Sequence, residues 1–447
     1  MSFAFNQESE IIVVRGKIRG KFIFEHPPAI FVGTTQTKYS MSKGNFFLGQ
    51  PVFSQLLRLI PRSDIQKCSK QFSSDRYCKK FKTYDHLTVM LYAIFNRCSS
   101  IREVTTGIMA CHSKLLHLGL DYTVRRSTLS DANCRRTYEV FEEIYKNIYR
   151  RYAKVLSDSQ AGSSRKFREK VYIIDSTTIS LFQEILKAAG RNPVNGKRKG
   201  GIKAHTLISV DEDVPQMVRF SAAAANDVSF MKSVRTPRGS ILVFDKAYRD
   251  YSQLYKWDEQ KVFWVTRSHR NTVIQTLYKK DVTPFQRKRG VLSDAIICIG
   301  HNHHDKIQKV QCRLVRYHDI QNNRTFDFLT NQLEYAPTTI ADLYKQRWQI
   351  ESLFKRIKQN FPLRNFLGDN ENAIKVQILC ALIADLLLKV TQVRCKKHWS
   401  FANLASMVRL HLMTYINLLR FLDRPEKTLL QNNVRLYKWK NPQLFPT

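Results

Sequence analysis

Three acidic residues, Asp175, Asp245 and Glu351, have types and positions suited to holding metal ions. Asp175 ends the apolar run VYII, and Asp245 ends a second apolar run, ILVF. We predict that both runs are strands, because a carboxylate at the carboxyl end of a strand lies where open α/β sheets bind ligands. A turn that merely begins with Asp is the alternative for either residue taken alone.

The third acid belongs to an amphipathic stretch that we predict to be a single helix, Thr339–Asn360, whose first four residues form a capping box. At 100° per residue, Tyr344, Arg347, Glu351 and Lys358 share one polar stripe along this helix. Apolar residues occupy the neighbouring face, so the helix can pack on a sheet. Glu351 therefore projects from an element that can reach the two strand ends.

The chemistry that uses three carboxylates in a strongly basic protein is hydrolysis and transesterification of phosphodiesters. Two divalent ions activate the attacking oxygen and stabilise the leaving oxygen. We expect Asp175 to bridge the two ions, with Asp245 and Glu351 each holding one of them. This assignment makes the chain a candidate phosphoryl-transfer enzyme.

The other members of the polar stripe are suited to contacts with phosphate. Arg347 and Lys358 can neutralise phosphate charge, and Tyr344 can donate a hydrogen bond to a backbone phosphate. The ordinary alternative is a surface helix with an i,i+4 ion pair between Arg347 and Glu351.

The charge of the chain indicates a polyanionic partner. It contains 73 Lys and Arg against 37 Asp and Glu, a net charge of +36. Such an excess favours double-stranded DNA, because each cation placed on a phosphate releases a counterion. Anionic membrane and an unusually basic housekeeping protein are the alternatives. The nine cysteines form no C-x-x-C pair, which favours a reducing cytoplasm over a disulfide framework or zinc site, and no segment resembles a membrane span.

Helical periodicity dominates the residues before the first apolar run. Here a capping box at Thr128–Asp131 predicts the start of a long helix, Leu129 to about Val155. Its basic beginning is typical of a helix that reads a DNA groove, and a solvated bundle face is the alternative. The arginines concerned are Arg125, Arg126, Arg135 and Arg136. Lys199 and Lys203, in a loop after the first strand, can contact phosphate or belong to a solvated hairpin.

The order of periodicities predicts an α/β catalytic core flanked by helical regions. Residues 1–40 differ from the rest and are either an upstream extension or a disordered arm. The predicted segments are a helical N-terminal DNA-binding domain at 41–160, a core at 165–267 and 337–365, a β-rich insertion at 268–336, and a C-terminal helical region at 366–447.

The spacing Tyr344-x2-Arg347-x3-Glu351-x6-Lys358 resembles the YREK signature of the DDE transposases in the insertion-sequence-four family. The segments IIDSTTI, GKRKGGIKAHTLISVDE, FDKAYRDY and FWVTRSHRN agree with that family in order. The resemblance spans about residues 45–420. One departure is DKAY at Asp245, where the family often has Asp-Arg-Gly-Tyr; Ala in place of Gly restricts the turn there.

This resemblance implies a ribonuclease H-like core whose DDE triad is Asp175, Asp245 and Glu351, with two Mg²⁺ ions per site that Mn²⁺ can replace. It also implies that the helical N-terminal region binds the terminal inverted repeats of an insertion sequence. Metal-dependent cleavage and strand transfer would follow, within a synaptic homodimer in the cytoplasm of a bacterium, associated with the nucleoid. The alternatives are a decayed or domesticated DNA-binding copy and a different ribonuclease H-like nuclease.

Overall fold

The computed structural model describes residues 3–5, 11–13, 49–160, 167, 169–180, 201–222, 227–248, 250–269, 272–303, 306–361, 363 and 365–427. The chain divides into two compact units, Met1–Gly44 and Asn45–Thr447. Within the first unit, β1 (Phe3–Phe5) and β2 (Ile11–Val13) form an antiparallel pair. The prediction for residues 1–40 otherwise falls outside the described residues. The candidate site lies in the second unit.

The described residues before the large sheet form seven α-helices. They are α1 (Val52–Leu57), α2 (Arg62–Gln71), α3 (Thr83–Asn96), α4 (Ile101–Ala110), α5 (Leu115–Leu118), α6 (Arg126–Arg135) and α7 (Tyr138–Gln160). Helix α3 is apolar on most of its circumference and is buried from His86 to Phe95, as expected of a helix surrounded by others. It lies at the centre of this helical region.

The predicted long helix from Leu129 is wrong in two respects. Helix α6 begins at Arg126 without a side-chain cap, and the helical run breaks at Arg136 and Thr137. Arg136 adopts an extended conformation, and its buried guanidinium donates a hydrogen bond of 2.8 Å to the carbonyl oxygen of Phe81. Tyr138 N–H donates to Asn372 Oδ1 at 2.9 Å. These distant partners satisfy the groups at the break, so tertiary contacts override the local helical preference.

The described strands of the second unit form one nine-stranded sheet. Its strands are β3 (Val171–Ser180), β4 (Gly201–Ser209), β5 (Pro215–Ala222), β6 (Ile241–Phe244), β7 (Phe263–Arg267), β8 (Ile274–Lys280), β9 (Val291–His303), β10 (Lys306–Asp319) and β11 (Arg324–Thr330). The strand order is β5-β4-β3-β6-β7-β11-β10-β9-β8. Strand β6 is parallel to both β3 and β7, and the other pairs are antiparallel. The prediction of a mixed α/β fold is confirmed.

The four strands of residues 268–336 continue the sheet that carries the two aspartates. Strand β11 pairs with β7 through Phe328, Leu329 and Thr330, and β10, β9 and β8 follow outward. Short helices α8 (Val228–Met231), α9 (Tyr251–Glu259) and α10 (Pro284–Lys288) lie in the connections.

Five helices follow the sheet: α11 (Pro337–Lys345), α12 (Trp348–Asn360), α13 (Glu371–Arg394), α14 (Phe401–Leu410) and α15 (Leu418–Asp423). Helix α13 is buried along nearly its whole length and packs against α3 and α7. Among the helices that the structure describes, none is both long and apolar enough to cross a membrane.

The predicted helix Thr339–Asn360 is two helices, which corrects the sequence reading. Helix α11 begins with Pro337 in its first turn and has no side-chain cap, so the expected capping box is absent. At the junction, Gln346 N–H donates to Leu343 O, and Arg347 N–H donates to Tyr344 O, both at 3.0 Å. These i to i−3 bonds tighten one turn, and the tightened turn carries Arg347.

Burial of His86 in this core predicts a loss of stability in acid. The imidazole is fully buried, hydrogen-bonded to Asn133 Oδ1 at 2.7 Å, and burial lowers its pKa from 6.5 to about 3. Because the folded-state pKa lies below the unfolded value, stability is complete above pH 6.5 and falls as the pH decreases towards 3. The contribution is about 1.4 kcal/mol per pH unit. Urea unfolding of His86→Gln, which keeps an amide partner for Asn133, should show a flatter pH dependence than wild type.

Candidate active site

Adjacent parallel strands bring Asp175 and Asp245 to the same place on the sheet. The pairing of β3 with β6 ends at Ile174 opposite Phe244, so the two aspartates follow at equivalent positions. Asp245 directly follows its strand, as predicted. Asp175 does not end its strand, because β3 continues to Ser180 while pairing with β4, and Asp175 lies opposite Thr206. Pairing with β4 thus extends β3 beyond the point where its parallel neighbour β6 ends.

Arg347 connects Asp175 to Glu351. Its Nη1 donates to Asp175 Oδ2 at 2.8 Å, and its Nη2 donates to Glu351 Oε1 at 2.6 Å. Arg347 is the residue before α12, and Glu351 lies in the first turn of that helix. One guanidinium therefore holds the helix-borne acid beside the strand-borne acid.

A second arginine pairs with the remaining acid. Arg267, the last residue of β7, donates from Nη2 to Asp245 Oδ2 at 2.7 Å. Both arginines lie near the ring of Tyr344, with their guanidinium carbons 5.7 Å (Arg267) and 5.9 Å (Arg347) from its centre. Tyr344 is buried and packs on Phe328, with ring centres 4.9 Å apart.

Asp175 is the carboxylate on which the charges of the other two act. Burial raises the pKa of Asp175, and the negative charges of Asp245 and Glu351 raise it further. A backbone hydrogen bond from Ser176 and the charge of Arg347 act in the opposite direction. Burial followed by the charge of Asp245 raises the pKa of Tyr344 to about 12. Carboxylates that repel one another at short range create a demand for nearby cations.

The donor set fits a hard divalent cation, although the side chains do not form a metal site as they stand. Carboxylate oxygens are the ligands that Mg²⁺ prefers. Within the described part of the chain, no three acidic, histidine or cysteine side chains converge on one metal position. Each of the three acids instead faces a guanidinium. The Nε atoms of Arg267 and Arg347 are buried without a hydrogen-bond partner among the described residues, so the arginine contacts satisfy the site only in part.

A cavity of about 840 Å³ opens beside this group. Asp175 and Glu351 line it together with Arg97, Lys355 and Lys358. Lys358 is exposed, and its Nζ lies 3.5 Å from the carbonyl oxygen of Thr178 on β3. The cavity thus has both acidic and basic side chains on its lining, and the basic ones are suited to binding a phosphate group.

Ala247, which stands where the family often has glycine, fits the turn after Asp245 without strain. Ala247 does not have a positive φ, so the turn does not require glycine at this position. Its N–H donates to Asp245 Oδ1 at 3.3 Å. Tyr248 is buried and hydrogen-bonded to Ser176, which joins the turn after β6 to strand β3.

The four arginines predicted to contact DNA at the start of the long helix lie away from this cavity. Arg125 and Arg135 line a second cavity of about 930 Å³ between α6 and the loop after α2. Arg126 is exposed at the start of α6. Arg136 also borders that cavity, but only 4% of it is exposed and its guanidinium bonds to the protein.

The structure describes one of the two lysines that were predicted to lie in a loop after the first strand. Lys203, on β4, donates to Asp227 Oδ1 at 2.9 Å. Lys199 lies outside the described residues.

Two arginines at the site were not identified from the sequence. Arg267 belongs to the segment FWVTRSHRN, whose order along the chain supported the family resemblance, so that motif contained the signal. Arg97 follows helix α3, far away in the chain, and no local pattern distinguishes it from the other cations.

The segment that contains the three acids matches a known protein family. The model of the transposase DDE domain matches residues 166–387, and a domain of unknown function (DUF4372) matches residues 48–121. A protein of Sinorhizobium fredii named as the transposase y4zB is 31% identical over 264 residues, covering 59% of this chain and 70% of that protein. A Geobacillus stearothermophilus protein named as the transposase of insertion sequence element IS5377 is 28% identical, over 53% of this chain and 61% of that protein.

Among solved structures, the chain is similar to the piggyBac transposase in a synaptic complex with hairpin DNA. The sequence identity is 12% and the TM-score is 0.41, over 90% of this chain and 87% of that one. A likeness of this strength does not bear on the chemistry of the site.

Proposed function

Because this chain belongs to the family of DDE transposases of insertion sequences, we propose that it cuts and joins DNA with Asp175, Asp245 and Glu351 as its catalytic carboxylates. The observation that carries the proposal is their juxtaposition. Two adjacent parallel strands present the aspartates, and Arg347 bonds both Asp175 and Glu351. The family match covers all three residues.

The proposed site holds two divalent ions, Mg²⁺ or Mn²⁺, which would activate the attacking oxygen and stabilise the leaving oxygen. Asp175 would help to hold both ions, and Asp245 and Glu351 would each help to hold one of them. Arg347 and Arg267 keep the acids together and supply positive charge beside the scissile phosphate. Tyr344 is buried near both guanidiniums and supports them, a different role from the phosphate contact expected from the sequence.

The antiparallel strands β5, β4 and β3, followed by the parallel strands β6 and β7, support a ribonuclease H-like core. In this proposal residues 41–160 bind the terminal inverted repeats, 268–336 are an insertion that enlarges the sheet, and 366–447 complete the helical region. Two copies would pair the transposon ends in a synaptic complex at the bacterial nucleoid.

The basic cavity beside α6 is the proposed surface for the inverted repeats. It combines Arg125 and Arg135 with further cations from the loop after α2, namely Arg76, Lys79 and Lys80. Cations placed around one concave surface can follow the phosphates of a duplex. Arg136 is buried and bonded to the protein, so we assign it to the support of this surface.

Loss of one cation from this surface should weaken binding to the inverted repeats. We expect Arg135→Gln to reduce the slope of log affinity against log salt concentration by about one unit, measured by fluorescence anisotropy. Arg150→Gln is the matched control, because Arg150 is also an exposed helical arginine paired with an acid, and it does not line the cavity. Equal slopes for the two variants would contradict the proposed surface.

The function itself is tested with a supercoiled donor plasmid that carries the inverted repeats flanking the gene. Purified protein should release linear or excised products with Mg²⁺ or Mn²⁺ and none with EDTA. Binding of the repeats without cleavage in either metal would instead support a decayed or domesticated DNA-binding copy.

A further inference from the structure

Arg97 belongs to the helical region before the sheet, but it lines the catalytic cavity. It directly follows α3, inside the segment that matches the domain of unknown function. The cavity that it lines also contains Asp175 and Glu351, and Lys355 and Lys358 complete its basic side. The N-terminal helical region therefore contributes a residue to the wall of a cavity whose acids belong to the segment that matches the transposase DDE domain.

The conformation of Arg97 is unusual for its residue type. Its φ of 57° and ψ of 38° are left-handed, at a helix end where glycine is the favoured residue. A left-handed conformation costs a residue with a side chain about 1 kcal/mol. A residue that keeps an unfavourable backbone conformation indicates that the side chain is needed where that conformation places it.

The guanidinium of Arg97 has an anchor on the protein and, among the described residues, no acidic partner. Its Nε donates to the carbonyl oxygen of Asn360, the last residue of α12, at 3.1 Å. In the ranges for which side chains are described, no carboxylate lies within ion-pair distance of Arg97. Anchoring through Nε leaves the two terminal nitrogens for a second partner, in the fork geometry that suits a phosphate.

A second guanidinium, that of Arg409, lies close enough to Arg97 for their charges to interact. Burial lowers the pKa of Arg97, and the positive charge of Arg409 on α14 lowers it further. Arg409 Nε is buried and has no hydrogen-bond partner among the described residues. Like charges repel one another, and an anion bound by Arg97 would relieve that repulsion.

We propose that Arg97 binds a phosphate of the DNA backbone next to the scissile phosphate. Arg97, Lys355 and Lys358 would hold the strand in the cavity that Asp175 and Glu351 also line. The segment that matches the domain of unknown function would thereby position DNA within the catalytic cleft. This inference rests on the proposed function, because it requires DNA to enter that cavity.

The test is equilibrium binding of a transposon-end duplex with Mg²⁺, in a Glu351→Gln background so that the DNA remains intact. Adding Arg97→Gln should weaken affinity about tenfold and reduce the salt slope by about one unit. Arg97→Lys should keep the slope, because the charge is retained, while binding more weakly than the parent. Arg102→Gln, an exposed arginine on α4 that does not line the cavity, is the matched control.

Single methylphosphonate substitutions along the duplex identify the phosphate. One neutral linkage should weaken binding of the parent and have no effect on the Arg97→Gln variant. Identical methylphosphonate profiles and salt slopes for the two proteins would overturn the proposal, and would leave Arg97 as a cap for the end of α12. Thermal unfolding of both proteins shows whether weaker binding by the Arg97→Gln variant comes from a loss of folding. Absence of plasmid cleavage by wild type would refute the proposed function separately, because this assay measures binding alone.

Discussion

Replacement of Glu351 by glutamine should lower the rate of DNA cleavage by at least about a thousandfold, since the loss of even an outer partner of a metal site costs 10- to 100-fold. Glutamine preserves the shape of the side chain but removes the charge that would hold a divalent ion. The fold should persist, because the side chain of Glu351 is 40% exposed and Arg347 retains its bond to Asp175. Affinity for the inverted repeats should not fall, because the substitution removes no cation from either proposed DNA contact.

Glu371→Gln is the matched control for this variant. Glu371 is also a helical glutamate in an i,i+4 ion pair, with Lys375, and its side chain is 51% exposed. The measurement is the initial rate of plasmid cleavage in Mg²⁺, with thermal unfolding to verify the fold. If Glu351→Gln cuts as fast as Glu371→Gln, Glu351 is not a metal ligand.

Arg356→Met should lower the free energy of unfolding by roughly 3 kcal/mol, the lower end of the range for removing one member of a buried ion pair. Arg356 donates to both oxygens of Asp385, at 3.0 and 3.1 Å, and to Asp213 Oδ2 at 2.6 Å. Asp385 is fully buried on α13. Without Arg356, its charge loses the main partner that balances its desolvation.

Arg316→Met is the control for this second variant. Arg316 also bonds both oxygens of an aspartate, Asp327, but it lies on the surface with 52% of its side chain exposed. Its removal should cost less than about 1 kcal/mol. Urea unfolding provides both values. Combining Asp385→Leu with Arg356→Met should recover part of the lost stability, and a stability loss for Arg356→Met no larger than that of the control would contradict the argument.

The position of Arg356 gives this network a functional consequence. It lies five residues after Glu351 on α12, and its partners lie on α13 and on the turn between β4 and β5. The network therefore fixes the helix that carries the third carboxylate against both the sheet and the helical region.

Local sequence patterns were sufficient for the elements that bear the acids. The apolar run before Asp245 is a strand with the predicted end, and the amphipathic stretch around Glu351 is helical. The ion pair between Arg347 and Glu351, considered as the ordinary reading of the helix, is present. The sequence did not show that the same arginine also reaches Asp175, because that contact joins residues 172 positions apart.

The errors in the sequence predictions arise where distant partners decide the local structure. Hydrogen bonds from elsewhere in the chain satisfy the break at Arg136, and the tight turn at Arg347 carries a side chain bonded to two acids. The strand-like segments of residues 268–336 likewise do not show from sequence alone that β11 pairs with β7. The role of Arg97 depends on a contact between α3 and the cavity, which no periodicity records.

The continuous sheet has a consequence for local motion near the site. Because β11 pairs with β7, the strand that carries Arg267 has hydrogen-bonded neighbours on both sides, and the free edges of the sheet are displaced to β5 and β8. Strands in the interior of a sheet open only with larger parts of the fold. The backbone amides of β6 and β7 should therefore be among the slowest to exchange with solvent, which keeps the spacing of the acids constant between encounters with DNA.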